Sequence, residues 1–360
     1  MKLNAAKHVL ISSLFLAIAL VSCKKTGKSP ATAQPVTLGL YEYASGVDKR
    51  IFIPITKIGT QSVTYYGIFD TGSTGMTMDA AKILPASMIT SGGIVFTGDS
   101  VVVNGITVTS KQAVISYGSS DNITREYGNV AYAPVTIGDA NGNLSITRVA
   151  FFLYYKIIDG SGNQLSAHSA DVFGVGPGVS YTSNAIASPL SYYSPGTDLT
   201  SGFKLATLTN GSFSNTGTYV GGLLTIGLTS ADLASSGFIM HPLTYYSVGG
   251  YSPEIPATIT YGGTSTSAQV LFDTGTPSVT IIEDSKATNS IGSLPANTEV
   301  TVTTNQGFVY KYTTTNTGNL TEIENPNKTG DYRTIFSIDF FISNEFLTDY
   351  TGHRIGLKNN

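Results

Sequence analysis

Cysteine is almost absent from this 360-residue sequence, which contains one copy and no tryptophan. A single cysteine excludes a disulfide framework, a cysteine-rich zinc site and an iron–sulfur cluster. Charged residues make up only 12%, the net charge is −3, and Lys and Arg are scattered, which argues against a nucleic-acid-binding surface. The apolar content of 41% is nevertheless too high for a disordered chain, and the 39 glycines have no collagen period.

Long apolar runs are also missing, and the one near the amino terminus is too short to span a membrane. Lys2 and Lys7 give a positive start, and a mainly apolar segment follows from Val9 to Leu20. Its twelve residues would rise only about 18 Å as a helix, against ~30 Å for the hydrocarbon core of a bilayer. The pattern predicts a signal peptide over residues 1–22.

The only cysteine follows this segment directly. The sequence Leu20-Val21-Ser22-Cys23 resembles the lipobox of bacterial lipoproteins, in which the cysteine is acylated and becomes the mature amino terminus. The resemblance implies lipidation at Cys23 and attachment to a membrane of the bacterial cell envelope, on the periplasmic or outer-membrane face. Simple secretion is the alternative. Residues 23–36 are polar and contain proline, which is typical of a tether.

Beyond the tether, the pattern is almost wholly that of β-strands. Runs rich in Val, Ile, Thr, Tyr and Phe recur at 51–58, 62–69, 100–108, 149–158 and 223–227. Turn residues separate such runs, for example at 139–142 and 159–162. Only two short segments, 79–84 and 343–348, are predicted as helical. The length exceeds that of one comfortable core, so we predict an all-β chain of two lobes.

An internal repeat is the most informative feature of the sequence. Ile68-Phe69-Asp70-Thr71-Gly72-Ser73 and Leu271-Phe272-Asp273-Thr274-Gly275-Thr276 share one pattern and lie 203 residues apart. Each copy follows an apolar strand that would carry its aspartate to a loop. One Asp-Thr-Gly could be an Asx-turn that closes a hairpin. Two copies that share the preceding Phe and the following hydroxyl are much harder to explain by chance.

The duplicated motif resembles the two active-site loops of pepsin-like aspartic proteases, in which each lobe contributes one carboxylate. Further segments in the expected order are similar to that family: 115–120 to the flap hairpin, 171–175 to the segment that braces the first loop, 221–227 to the opening strand of the second lobe, and 335–357 to the closing strands. The resemblance implies a bilobed pepsin-like fold, with an amino-terminal lobe at 37–210 and a carboxy-terminal lobe at 211–360.

The chemistry of peptide hydrolysis explains why two carboxyl groups are needed. One ionised carboxylate deprotonates water and one protonated carboxyl polarises the scissile carbonyl, and two such groups about 3 Å apart hold one proton between them. By resemblance, Asp70 and Asp273 are the catalytic pair. The resemblance assigns support to Thr71, Gly72, Ser73, Thr274, Gly275 and Thr276, and the flap to Tyr117, Gly118 and Ser119.

Three positions depart from the family pattern. Thr77 stands where many relatives have a tryptophan bonded to the flap tyrosine. Pro277 replaces a frequent serine after the second motif. Ser337, or Ile338 in another alignment, replaces a glycine of the second bracing segment, where a Cβ would crowd the loop. None of these changes removes a catalytic group.

Other kinds of site are poorly supported. The histidines His8, His168, His241 and His353 show no metal-ligand spacing, and no Gly-x-Ser-x-Gly elbow accompanies them. We therefore predict no metal and no cofactor, a peptide or protein substrate, and a monomer. The predicted function is that of an aspartic endopeptidase. A cell-surface binding lipoprotein that keeps the cleft with little or no turnover is the alternative, and an unrelated β-sandwich adhesin would require the repeat to be coincidence.

Overall fold

The structure is a computed structural model that describes residues 33–118, 123–180, 186–234 and 236–360. The predicted signal peptide, Cys23 and most of the predicted tether lie outside these residues, as does Ser119 of the predicted flap. Within the described ranges, no helix is both long and apolar enough to cross a membrane.

Strands dominate the described chain, and its helices are short. The strands are β1 (Val36–Ser45), β2 (Asp48–Ile58), β3 (Gln61–Asp70), β4 (Thr74–Asp79), β5 (Ile89–Thr90), β6 (Gly93–Ile94), β7 (Ser100–Val103), β8 (Ile106–Tyr117), β9 (Thr124–Asp139), β10 (Gly142–Ile158), β11 (Val172–Val175), β12 (Thr200–Leu205), β13 (Thr218–Leu228), β14 (Ile239–Pro242), β15 (Tyr245–Tyr246), β16 (Gly250–Tyr251), β17 (Ile255–Tyr261), β18 (Thr264–Phe272), β19 (Val279–Glu283), β20 (Ile291–Ser293), β21 (Glu299–Thr304), β22 (Val309–Thr313), β23 (Leu320–Glu324), β24 (Arg333–Phe336), β25 (Asn344–Asp349) and β26 (Arg354–Asn359). The α-helices are α1 (Ser230–Ala234) and α2 (Pro326–Thr329), and 3₁₀ turns lie at Ala86–Met88, Pro189–Tyr192, Asn210–Ser212 and Ile338–Ile342. The predicted all-β class is confirmed.

Two large sheets organise these strands. One has fourteen strands in the order β14-β26-β25-β12-β13-β1-β2-β3-β11-β4-β10-β9-β8-β7, and the other has eight in the order β20-β23-β19-β24-β18-β17-β21-β22. The larger sheet takes strands from both ends of the described chain, because β25 pairs with β12 and β13 pairs with β1. The lobe boundary between residues 210 and 211 stays a prediction.

Buried aromatic rings anchor both copies of the repeat. Phe69 and Phe272, which precede the two aspartates, are 0% and 2% exposed. The Phe69 ring stacks on Phe173 with centroids 6.4 Å apart, and the Phe272 ring lies 4.2 Å from that of Phe340. Buried aromatic side chains supply much of the apolar area of a core. Each aspartate therefore follows a residue that is held firmly in the core.

Both predicted helical segments are wrong. At 79–84 the chain turns after β4, since Asp79 Oδ1 accepts a hydrogen bond from Ala81 N–H at 2.7 Å and Lys82 has a left-handed φ of 67°. This local side-chain bond competes with helical hydrogen bonding. At 343–348 the chain instead forms most of β25, because β12 and β26 pair with it on either side.

The predicted run 100–108 is two strands rather than one. Asn104 and Gly105 have φ values of 50° and 75° and form the turn of the β7–β8 hairpin. Asn-Gly is the favoured pair for a two-residue turn in which both φ angles are positive.

Candidate active site

Two strands that become buried at their carboxyl ends carry Asp70 and Asp273 to the same kind of loop. Asp70 is the last residue of β3, and Asp273 follows β18 directly. The strand β11 runs parallel to β3 with Gly174 opposite Asp70, and β24 runs parallel to β18 with Phe336 opposite Phe272. The same local topology therefore occurs twice, once around each aspartate.

The threonine of each motif is bonded to the other motif. Thr71 N–H donates to Thr274 Oγ1 at 3.1 Å, and Thr274 N–H donates to Thr71 Oγ1 at 3.0 Å. The Thr71 hydroxyl donates to the Phe272 carbonyl at 2.8 Å, and the Thr274 hydroxyl donates to the Phe69 carbonyl at 2.6 Å. Separation of the loops would leave these buried groups without partners, which is costly. The four bonds therefore hold the loops together.

The glycine of each motif lies against the carboxyl group of the other. Gly72 N–H is 2.8 Å from Asp70 Oδ1 and 3.2 Å from Asp273 Oδ1, so one amide donates between the two aspartates. Gly275 N–H donates to Asp273 Oδ1 at 2.7 Å. A Cβ atom at Gly72 would lie 2.4 Å from Asp273 Cγ, and one at Gly275 would lie 2.6 Å from Asp70 Cγ. Only glycine permits this approach.

The hydroxyl residue of each motif bonds to its own aspartate. Ser73 Oγ donates to Asp70 Oδ2 at 2.7 Å, and Thr276 Oγ1 donates to Asp273 Oδ2 at 2.7 Å. Ser73 N–H also donates to Asp70 Oδ1 at 2.9 Å. These bonds orient both carboxyl groups, and those from Ser73 favour the ionised form of Asp70.

The two carboxyl groups form a coupled pair. Burial, the charge of Asp273 and a hydrogen bond with its side chain raise the pKa of Asp70 well above the usual value, whereas the bonds from Ser73 oppose the rise. Asp70 is 7% exposed and Asp273 is partly exposed. Two adjacent carboxyl groups cannot both ionise readily, so the pair retains a proton.

Comparisons with known proteins identify the fold. No family model matches the chain, and no curated protein matches it. Among solved structures, an aspartic proteinase from Irpex lacteus matches with a TM-score of 0.57 and 18% identity, over 90% of this chain and 97% of its own. The fold is pepsin-like.

Two globulins share this pepsin-like fold. Basic 7S globulin from soybean matches with a TM-score of 0.55, and conglutin gamma, a basic 7S globulin from lupine seeds, with 0.56. Each is 12% identical and covers 91% of this chain and 96% of its own. At these identities the likeness establishes the fold, and the activity has to be argued from the site.

The predicted flap is the end of the β8–β9 hairpin. Tyr117 is the last residue of β8, is partly buried and pairs with Thr124 of β9. Gly118 follows with a φ of 103°, and its carbonyl accepts a hydrogen bond from Arg333 Nη2 at 3.4 Å. Arg333 begins β24, the strand beside the second aspartate's strand. The hairpin end therefore contacts the second half of the pepsin-like fold.

A buried acid that no sequence motif indicated lies on the second strand of the same hairpin. Glu126 on β9 is 0% exposed, and its Oε1 accepts a hydrogen bond from Thr77 Oγ1 at 3.2 Å. Burial raises the pKa of Glu126 well above its usual value, and the Thr77 bond opposes the rise. Burial and the charge of Glu126 also raise the pKa of Tyr117, against a hydrogen bond with the Thr77 side chain. Thr77 thus joins the flap tyrosine to a buried carboxyl group.

The departure at Ser337 is accommodated by hydrogen bonds. Ser337 follows Phe336, whose carbonyl accepts from Asp273 N–H at 2.9 Å, so it lies beside the second loop. Its side chain is fully buried, with Oγ 3.4 Å from both the Ser278 carbonyl and Thr280 Oγ1. The Cβ and Oγ atoms of Ser337 therefore occupy a polar site beside the second loop.

A second missed residue, Arg50, contacts the second loop. Its guanidinium donates to the Gly275 carbonyl from the start of β2. The only signal in the sequence was a charged triplet, Asp48-Lys49-Arg50, directly before an apolar strand.

The described histidines each have a partner of their own. His168 Nδ1 lies 2.9 Å from Asp171 Oδ2, the His241 ring bonds to Thr304 Oγ1 at 2.8 Å, and the His353 ring stacks on Tyr251. Within the described residues, no group of three or more His, Cys, Asp or Glu side chains is arranged to hold a metal ion.

Proposed function

We propose that this protein is an aspartic endopeptidase that hydrolyses peptide bonds with a water molecule activated by Asp70 and Asp273. The observation that supports the proposal is the reciprocal packing of the two motifs. Each glycine lies against the carboxyl group of the other loop, and each threonine bonds to the other loop. An Asx-turn that only closed a hairpin would require none of these contacts.

In the proposed mechanism, the two carboxyl groups share one proton, and one acts as an acid while the other acts as a base. The raised pKa of Asp70 reflects a proton that the pair shares, and the carboxyl group that carries this proton polarises the scissile carbonyl. The other carboxyl group, in its ionised form, accepts a proton from water as the water oxygen attacks the carbonyl carbon. The carboxyl group that took the proton from water then gives it to the amide nitrogen, the tetrahedral carbon returns a hydroxyl proton to the other carboxylate, and the C–N bond breaks. The flap residue Tyr117 covers the cleft and limits access of bulk water.

The second candidate is a protein that keeps the cleft and binds a peptide or another ligand with little or no turnover; it is favoured by two structural neighbours whose names are those of 7S globulins and not of proteinases. Pepstatin binding distinguishes the candidates. The statine hydroxyl requires both carboxyl groups in register, so the endopeptidase proposal predicts tight binding that Asp273→Asn weakens.

Substitution of the aspartates tests the endopeptidase proposal. Asp70→Asn and Asp273→Asn should each lower the cleavage of internally quenched peptides by more than about 10⁴-fold, because each carboxyl group is essential for activating water. The circular dichroism spectra should not change. The matched control is Asp198→Asn, at an exposed position, which should retain full activity. Cleavage that persists in either single variant would refute the mechanism.

We also propose that Cys23 is acylated and anchors the protein to a membrane of the bacterial cell envelope, where the substrate is a peptide or protein. The lipobox-like sequence at 20–23 and the polar tether behind it support this. Mass spectrometry of the mature amino terminus would show either the lipid or its absence.

A further inference from the structure

The first three residues of β2, Asp48 to Arg50, each form a hydrogen bond with the loop that follows Asp273. Ser278 Oγ donates to Asp48 Oδ1 at 2.7 Å, and Lys49 N–H donates to the Pro277 carbonyl at 3.0 Å. The Arg50 guanidinium then donates to the Gly275 carbonyl, which belongs to the glycine that lies against Asp70. These contacts place the Arg50 charge at the edge of the carboxyl pair.

Arg50 differs from the other cations of this region. Lys49 pairs with Asp339 at 2.7 Å, and Arg333 pairs with Asp331 at 2.6 Å. Among the described residues, the ion pairs within 4.0 Å do not include Arg50. Burial lowers its pKa, and the charges of Asp273, Asp70 and Asp48 oppose that effect. The Arg50 guanidinium therefore interacts electrostatically with both carboxyl groups of the pair, but among the described residues it forms no ion pair with either.

Among the residues that the structure describes, the partly buried Arg50 guanidinium bonds to the Gly275 carbonyl alone, which leaves its charge poorly compensated. Arginine has five N–H donors and remains charged at any relevant pH, and its planar fork matches a carboxylate in two parallel hydrogen bonds. An uncompensated charge that is partly removed from water is costly. An acidic side chain beside Asp70 and Asp273 would also meet the negative charge of the pair unless a cation stood between them.

We propose that Arg50 binds an acidic side chain of the peptide in the cleft and makes the protein selective for Glu or Asp near the cleaved bond. The selectivity in cleavage rests on the proposed function, whereas the selectivity in binding does not. The competing role for Arg50 is only to attach β2 to the second loop. Arg50→Gln separates the two roles, because an amide can still donate to the Gly275 carbonyl but carries no charge.

Binding to a full-length chain that carries Asp70→Asn tests the proposal without turnover. The probes are eight-residue peptides with a central Phe-Phe bond and, at one flanking position at a time, either Glu or Gln. At about pH 6, where a free Glu is ionised, we expect the Glu peptide to bind about 10- to 100-fold more tightly at one or more positions. Arg50→Gln should remove this difference, and Arg50→Lys should retain part of it.

The controls keep the two proposals separate. Lys49→Gln, which removes the neighbouring paired cation, should leave the Glu preference unchanged. Equal binding of Glu and Gln peptides at every position, or a preference that survives Arg50→Gln, would overturn the role of Arg50. Failure of the wild-type chain to cleave any peptide would instead contradict the endopeptidase proposal, and the binding data would still decide on Arg50.

Discussion

At Gly72 and Gly275, the glycines of the two motifs, the site has no room for a side chain. Neither Gly72 nor Gly275 has a positive φ, so their backbone conformations would accept alanine. The restriction comes from packing, because a Cβ at either position would lie less than 3.0 Å from the opposite carboxyl group. Cβ atoms in folded proteins do not approach other heavy atoms so closely. The cost of substitution therefore falls on the geometry of the aspartates.

We expect Gly72→Ala and Gly275→Ala each to lower kcat/KM by about 100-fold or more. The added methyl group forces the carboxyl groups apart, and misplacement by about 1 Å is enough for a loss of this size. Gly211→Ala is the control, because a Cβ there meets nothing within 4 Å. Kinetics and thermal denaturation should be measured together. Full activity in a folded Gly72→Ala variant would show that the carboxyl groups need not be this close.

At the scale of the element, the β8–β9 hairpin is held by apolar and polar contacts at the same level, because Ile115 of β8 pairs with Glu126 of β9. Ile115 packs in a buried apolar cluster with Val130 and Phe152. Beside this pair, Thr77 Oγ1 donates to Glu126 Oε1, and the Thr77 side chain also shares a hydrogen bond with Tyr117. The side chain of Thr77 also accepts from Val172 N–H at 3.3 Å. One hydroxyl therefore links the flap to the strand that braces the first aspartate.

Thr77→Val should weaken both the flap and the fold. Loss of the hydroxyl leaves the buried Glu126 carboxyl group without this partner, which costs about 1–3 kcal/mol in the free energy of unfolding. A less firmly held Tyr117 should lower kcat/KM by about 10-fold, mainly through a higher KM. Urea unfolding and steady-state kinetics measure the two effects.

The same hairpin offers a matched control. Thr109 Oγ1 on β8 donates to the Val130 carbonyl at 2.7 Å. Thr109→Val should lower the free energy of unfolding by about 1 kcal/mol while kcat/KM stays the same. Equal kinetic losses in both variants would mean that the contact at Thr77 has no special part in the flap.

Across the whole molecule, buried acidic side chains make the folded protein more stable at low pH. Burial raises the pKa of Glu42 to about 7, and burial together with the charge of Glu324 raises that of Glu283 to about 8. The corresponding pKa in an unfolded chain is about 4.3. Between these values the folded protein binds more protons than the unfolded chain, so its stability decreases as pH rises. The stabilisation of the folded protein by protonated Glu42 and Glu283 is complete below about pH 4.3, and it is lost as the pH rises through about 7 and 8.

The melting temperature should therefore fall by several degrees between about pH 5 and pH 8.5. Glu42→Gln and Glu283→Gln should each make this dependence shallower, because the amide is neutral throughout. Glu299→Gln, at a side chain that is 70% exposed, should leave the slope unchanged. Scanning calorimetry across the range measures the slopes, and identical slopes in all three variants would contradict the assigned pKa values.

The sequence alone identified the features that depend on short stretches of chain. Recurring runs of β-branched and aromatic residues between turn residues predicted an all-β chain, since these strand and turn signals are local. The repeated motif predicted Asp70 and Asp273, because each loop needs its aspartate, threonine, glycine and hydroxyl at adjacent positions. In the structure the threonines and glycines of the two motifs contact the opposite loop, and Ser73 and Thr276 each bond to the aspartate of their own loop.

Only the tertiary structure decided the features that depend on distant partners. Segment 343–348 is a strand because β12, far away in sequence, pairs with it. Arg50 contacts Gly275, which is 225 residues away, and Glu126 meets Thr77 across 49 residues. A lone charged residue in a strand carries no sign of its partner, because burial and electrostatic surroundings are set by the packing of sheets rather than by neighbours along the chain. The carboxyl pair could therefore be predicted from its motif, whereas Arg50 beside the pair and Glu126 on the β8–β9 hairpin could not.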